Sequence, residues 1–519
     1  MSSSVAKFGL GAHKWAMGGE KVYEQLVATS LQHGVTLLEA GQEGGDAALA
    51  QAYRNIAEQH PQVNDLNITM TMRVGYRTLM ADTKEKLPSR MTTDVLVEEL
   101  QDKGGKFSRV LHNISAEYIT QTLQTSPLVQ LQQEFPIDLR VLVHNPEAQV
   151  QALLNKQQGE PSLEERQDYI WSKLQSSLEG LEWAVSQKLI ASHGIVSNGL
   201  GLPPKHPLHM PPGIILQAKE QCSTHFTTVQ LPANLLERKG ITVARELHKQ
   251  RHDLEIFAMR PLTCYPDLGT GTGHPFGLVD FSLPTTEDPT KNKYTHDMEG
   301  PPAIYQVALQ TAMSHFDADH ILELKEERAL TVEERETLDG CKLCQSMLHD
   351  LDNALETVTS FQAHEDELYQ KIIPIIHDTF EDFDETTGDV LQAFFAAYGV
   401  AVRYAIAKRT RRLLLTGGKD GSGIVYEDVP KTMKLQEYAL RKLMAEPAFT
   451  RLIIGASAPR ELMEDLDIVH MIASEGGSPL DAIKKLKKEE DKTIEVTATE
   501  EVTAEEEGQE KKGEEKKES

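Results

Sequence analysis

Eight short β-rich runs, each leading through a polar loop into a helical pattern, constrain this chain more than any other feature. They are AKFGLGA, GVTLLEA, NITMTMRVG, IDLRVLVHN, SHGIVSN, HFTTVQLPA, LEIFAMRPL and TRLIIGAS. Strands alternating with helices build βα units and a parallel sheet. Eight such units predict a closed α/β barrel of the (β/α)8 TIM type. Apolar residues at helical spacing place helices at 21–33, 46–59, 115–133, 162–187 and 241–251.

Between the seventh and eighth strands the alternation stops. Residues 275–430 read as a mainly helical insertion: a loop rich in Pro and Thr, a charged helical part (ILELKEERALTVEERETL), and a long apolar-periodic stretch (VLQAFFAAYGVAVRYAIAKRTRRLLL). The barrel is then assigned to 1–274 and 431–480. Residues 481–519 are mostly Glu, Lys and Thr. So few apolar side chains cannot offset the entropy of ordering, and this acidic, lysine-rich tail is expected to be disordered.

Charge narrows the partners. With 53 basic against 79 acidic residues, the net charge of −26 disfavours nucleic acid and an anionic membrane surface. Four cysteines in 519 residues make no disulfide framework and suit a reducing compartment. The N-terminal MSSSVAKFGLGAHKW lacks the pattern of a signal peptide, and no apolar stretch is read as reaching the roughly 20 residues that span a bilayer. A soluble, cytoplasmic protein is expected.

In such a barrel chemistry gathers at the C-terminal strand ends. There lie Glu39, Arg73, His144, Ser197 with Asn198, Gln230, Met259 with Arg260, and Gly455 with Ser457. Four segments, LVHNPE, LEGLEWAVSQKLIASHGIVSN, VQLPANLLE and LIIGASAPRELMEDL, together resemble the aldo-keto reductase family. The resemblance covers most of residues 5–270 and 432–470, in the family's order, and leaves out the insertion and the tail.

That resemblance implies an NADP(H)-dependent reductase of a small carbonyl substrate. A tyrosine would act as general acid, a lysine paired with an aspartate would lower its pKa, and a histidine would orient the substrate. The histidine falls on His144 and the aspartate on Glu39. The tyrosine falls on Gly44, which has no proton to give, and the lysine on Arg73, which keeps the charge but does not readily lose a proton. Tyr76, a few residues beyond Arg73, would substitute as acid only by reaching the pocket, where a displacement of even about 1 Å matters to positioned chemistry. Ser197, Asn198 and Gln230 match positions that hold the nicotinamide carboxamide, with Met259 in place of the stacking aromatic residue. Backbone N–H groups of Gly455, Ala456 and Ser457 would face phosphate at a helix N-terminus. Arg460 would meet a 2′-phosphate, but Glu461 beside it opposes that, which leaves NAD as the alternative to NADP.

Plainer readings stand beside these. Glu39 and Arg73 also suit a structural ion pair, and His144 a hydrogen-bonded core residue. The CKLC at 341–344 is expected to pack in a core, since zinc takes four ligands, and no metal site is expected. DFDETTGD, from Asp382, misplaces the glycine and final Glu of a calcium loop. GTGTG from Gly269 and TGGKDGSG from Thr416 lack phosphate-loop spacing. Two functional readings follow: an oxidoreductase with altered catalytic groups, or an inactive barrel that senses a nucleotide or binds a protein partner through the insertion or tail.

Overall fold

A computed structural model describes residues 7–11, 15–41, 44–86, 93–101, 105–155, 161–222, 224–265, 276–278, 303–317, 331–355, 357–358, 368–379, 385–416, 425–426, 428–430 and 433–488. Eight parallel strands close into a barrel. They are β1 (Phe8–Gly11), β2 (Leu37–Glu39), β3 (Ile68–Val74), β4 (Ile137–His144), β5 (Ser192–Val196), β6 (Phe226–Pro232), β7 (Glu255–Met259) and β8 (Arg451–Gly455). Spatial order follows chain order, and β1 closes the ring between β2 and β8. Each sequence-expected strand is present.

Alternation along the strands fills the interior. Leu37, Phe257 and Ile453 meet in one cluster; Leu142, Val196 and Met259 meet in another nearer the C-terminal ends. At the N-terminal end Arg140 of β4 crosses to Glu255 of β7 at 2.7 Å and to Thr228 of β6 at 3.3 Å. A charged network thus plugs the end opposite the mouth.

The outer helices are α1 (Trp15–Gln32), α2 (Gly45–Gln59), α3 (Ala116–Thr125), α4 (Pro127–Glu134), α5 (Leu163–Ser186), α6 (Pro212–Gln221) and α7 (Lys239–Gln250). The single helix expected over 115–133 is two. Ser126 ends α3 and its side chain accepts from Leu128 N to cap α4, while Pro127 takes the first helical position, where no N–H is needed. Helix α6 was not singled out in the sequence. Nor was a three-stranded antiparallel sheet, Tyr76–Ala81, Val95–Gln101 and Phe107–His112, inserted between β3 and α3.

The chain divides into two compact units, Met1–Gly271 with Ala439–Pro479, and Thr272–Tyr438 with Leu480–Ser519. In the second, α8 (Ala303–His315), α9 (Val332–Ala354) and α10 (Glu385–Thr416) share a core that includes Tyr305, Leu348, Phe394 and Tyr398. Cys341 and Cys344 belong to this core, and all four cysteines are buried and outside any disulfide. By length and composition α10 is apolar enough to cross a membrane, which corrects the expectation that no segment reaches that length. Its buried face, Leu391 to Ile406, nonetheless packs in the helical core.

Residues 481–488 are helical and Ile483 is buried. The expected disorder therefore does not hold for 481–488, where Ile483 anchors two helical turns. The rest of the expected tail, 489–519, lies outside the described residues, as do Asp382, GTGTG and nearly all of TGGKDGSG.

Candidate functional site at the barrel mouth

Glu39 ends β2 and Arg73 sits near the end of β3, one strand over. Both point inward and form an ion pair. Glu39 is 3% exposed and the Arg73 side chain 13%. From β6, Gln230 Nε2 donates to both Glu39 oxygens, at 3.2 and 3.3 Å. Arg73 Nη2 also lies 4.0 Å from Met259 Sδ. Four of the sequence-selected residues therefore form one buried cluster.

Two polar atoms in it, the Gln230 carbonyl oxygen and Arg73 Nε, and the hydroxyl of Thr71, the β3 residue in register with Glu39, have no protein partner among the described residues. Buried polar groups are normally satisfied, so such atoms mark where water or a ligand belongs.

His144 ends β4 and is buried. Burial, reinforced by Arg73 and then His112, holds it well below the usual imidazole range, so it is neutral at physiological pH. Its backbone is fixed by His112, whose Nε2–H donates to the His144 carbonyl at 2.7 Å while Gln149 Nε2 lies 2.7 Å from His112 Nδ1. Burial lowers His112 to about 4. The antiparallel sheet that delivers His112 was the part of the fold the sequence pattern concealed.

Tyr76 packs edge-on against His144, ring centroids 4.8 Å apart, and its hydroxyl accepts from Asn145 Nδ2 at 3.4 Å. Burial pushes this phenol up to about 12. A carbonyl acid needs the opposite shift. At Gly44, φ is +86° and an added Cβ would meet nothing within 4 Å, so the position that the resemblance gives to tyrosine is open space beside a left-handed turn.

The nicotinamide end fits part of its expected set. Gln230 offers a free acceptor oxygen, Asn198 is partly exposed, and buried Met259 supplies an apolar surface beside Leu142 and Val196. Ser197 is committed elsewhere: its hydroxyl donates to Glu147 at 2.9 Å and accepts from Leu200 N at 3.3 Å. Glu147 also accepts from Gly199 N at 2.7 Å. Burial raises Glu147 to about 7, against the opposing pull of these donors. It ties the loop after β4 to the loop after β5, a role the LVHNPE motif did not disclose.

The phosphate end does not fit. Before α11 (Pro459–Ser474), Glu461 accepts from Ser457 N at 2.8 Å and from the Ser457 hydroxyl at 2.7 Å. A carboxylate of the chain itself thus takes the N–H that an anion would use. Gly455 ends β8 and Ala456 is buried behind it. Arg460 is 90% exposed and pairs with Glu464 at 3.5 Å.

No protein-family model matches this sequence, and no curated protein matches it. Among solved structures it is similar to a Bacillus halodurans aldo-keto reductase in its holo form, at 12% identity over 92% of this chain and 91% of that one, with a TM-score of 0.40. A Klebsiella pneumoniae aldo/keto reductase in complex with NADP and acetate is 16% identical over 49% of this chain and 64% of that one, with a TM-score of 0.27. One from Brucella melitensis is 11% identical over 49% and 67%, with a TM-score of 0.28. Similarity this low leaves function to be read from the side chains of this chain.

Proposed function

We propose that this barrel is an oxidoreductase-like protein that takes the nicotinamide end of NADP, or of NAD, together with a small carbonyl compound at its C-terminal mouth. The observation that supports it is the buried Glu39–Arg73–Gln230 cluster with its two unpartnered polar atoms, beside the unpartnered Thr71 hydroxyl. A nicotinamide bound there would supply hydride. Gln230 Oε1 would accept from the carboxamide, and Met259 would cover the ring. Arg73, partly balanced by Glu39, and neutral His144 would stabilise negative charge growing on the carbonyl oxygen. Glycine at 44 leaves no side-chain acid, so the final proton would come from solvent. General acids contribute about 10²–10⁴ in rate, so turnover should be slower by a factor of that order.

Steady-state assays with NADPH and NADH over a panel of aldehydes and ketones test this. Slow turnover that is lost in Arg73→Met supports it. Rates equal to the no-enzyme control, with no nucleotide binding at millimolar concentration, would overturn it.

A second reading, an inactive barrel acting as nucleotide sensor or protein scaffold, is favoured by the Glu461 contact and the open Gly44 position. Nucleotide binding without turnover would select the sensor. In that reading the insertion or tail carries the protein partner, and the four buried cysteines, outside any disulfide, suit the cytoplasm.

A further inference from the structure

At the end of the barrel opposite the mouth, four side chains with metal-ligating chemistry converge. Glu182 lies near the end of α5, His193 is the second residue of β5, Cys222 caps the end of α6, and His225 immediately precedes β6. Glu182 is within 2.7 Å of His193 Nε2 and 2.8 Å of His225 Nδ1. Ligand atoms of Glu182, His193 and Cys222 all lie within 4.8 Å of one another.

We propose that Glu182, His193, Cys222 and His225 form a four-coordinate site for a zinc-type divalent cation. The donor set is the imidazole, thiolate and carboxylate set that zinc takes, with bonds of about 2.0–2.3 Å, which place tetrahedral ligand atoms roughly 3.3–3.8 Å apart. For Glu182, His193 and Cys222 the separations run from 2.7 Å to at most 4.8 Å, on either side of that range, and His225 reaches the group through Glu182 and must swing toward the other two to complete the cage. Charge also balances. One carboxylate and one thiolate neutralise a dication, and the Cys222 thiol proton leaves to solvent as the metal–sulfur bond forms.

His193 is fully buried with Nε2 turned to Glu182, so Nε2 is the nitrogen offered to the site, while Nδ1 on the other edge of the ring has no partner among the described residues. The nearby cation Lys219 is paired with Asp253 at 3.0 Å and donates to the Phe226 carbonyl at 2.9 Å. The Cys222-x2-His225 spacing is compact because Phe226 N closes a turn onto the Cys222 carbonyl at 3.0 Å. The metal would staple α5, β5, α6 and the start of β6, a structural task suited to the N-terminal face of such a barrel.

The test is cobalt titration of the full-length, chelator-stripped protein, followed by displacement with zinc. One equivalent of cobalt should give the intense visible bands of four-coordinate geometry and a thiolate charge-transfer band, and zinc should raise the melting temperature. Cys222→Ser should abolish the charge-transfer band and weaken binding by more than about a hundredfold, beyond the range for loss of an outer partner of a ligand. His225→Ala should alter the visible bands. Should Cys222→Ser fail to fold, Glu182→Gln serves as the second variant. Binding of less than one equivalent, a weak octahedral spectrum, or an unchanged charge-transfer band in Cys222→Ser would overturn the proposal and leave a hydrogen-bonded structural cluster.

Discussion

Replacing Arg73 by methionine removes the cation that faces Glu39 and leaves a carboxylate that is 3% exposed. Breaking a buried pair from one side costs about 3–5 kcal/mol, because one charge stays uncompensated. Gln230 still donates to both Glu39 oxygens, and hydrogen bonds to a charged group are worth about 1.5–3 kcal/mol, so the lower end, about 3 kcal/mol, is expected. Replacing both partners, Glu39→Gln with Arg73→Met, should recover most of that loss. All three tryptophans, Trp15, Trp171 and Trp183, belong to the barrel unit, so urea unfolding followed by tryptophan fluorescence reports on the barrel alone. The midpoint should fall in Arg73→Met at unchanged slope and return toward the parent in the double variant. A loss under about 1 kcal/mol, or a double variant no better than the single one, would refute the claim that the two charges depend on each other.

Three further outcomes follow from the same geometry. Glu147 sits at about 7 when folded, above its ordinary value of 4.5, so its contribution is complete below about 4.5 and lost as pH rises through 7. Stability should decline there by up to about 1.4 kcal/mol per pH unit, and Glu147→Gln should flatten that part of a plot of urea midpoint against pH; an unchanged slope would contradict the assignment. Glu461→Gln weakens the carboxylate that holds Ser457 N–H, and NADPH affinity, measured by fluorescence titration, should rise about two- to fivefold, the value of one charge at a helix N-terminus. Gly194→Ala would place a Cβ 1.8 Å from the Thr228 carbonyl oxygen, a clash with backbone that costs more than about 4 kcal/mol; soluble protein melting near the parent temperature would disprove it.

What the sequence determined by itself is what short-range physics encodes. Strand runs such as IDLRVLVHN and TRLIIGAS alternate with helical spacing, and that alternation admits few folds besides a parallel barrel. Strand ends were legible too, so Glu39, Arg73, His144 and Gln230 could be named before their contacts were known. Less legible was the antiparallel sheet at 76–112, whose strands are partly exposed and so carry weak apolar periodicity.

Tertiary structure alone decided which named residues are free to act. Ser197 looked available until Glu147 took its hydroxyl, and Ser457 until Glu461 took its N–H. Glu182, His193 and Cys222 are spread over 41 positions, and only closure of the barrel brings strand starts and helix ends together at one rim. Periodicity is a property of neighbours in sequence, whereas the burial and partnership of a polar atom depend on segments that meet only after folding.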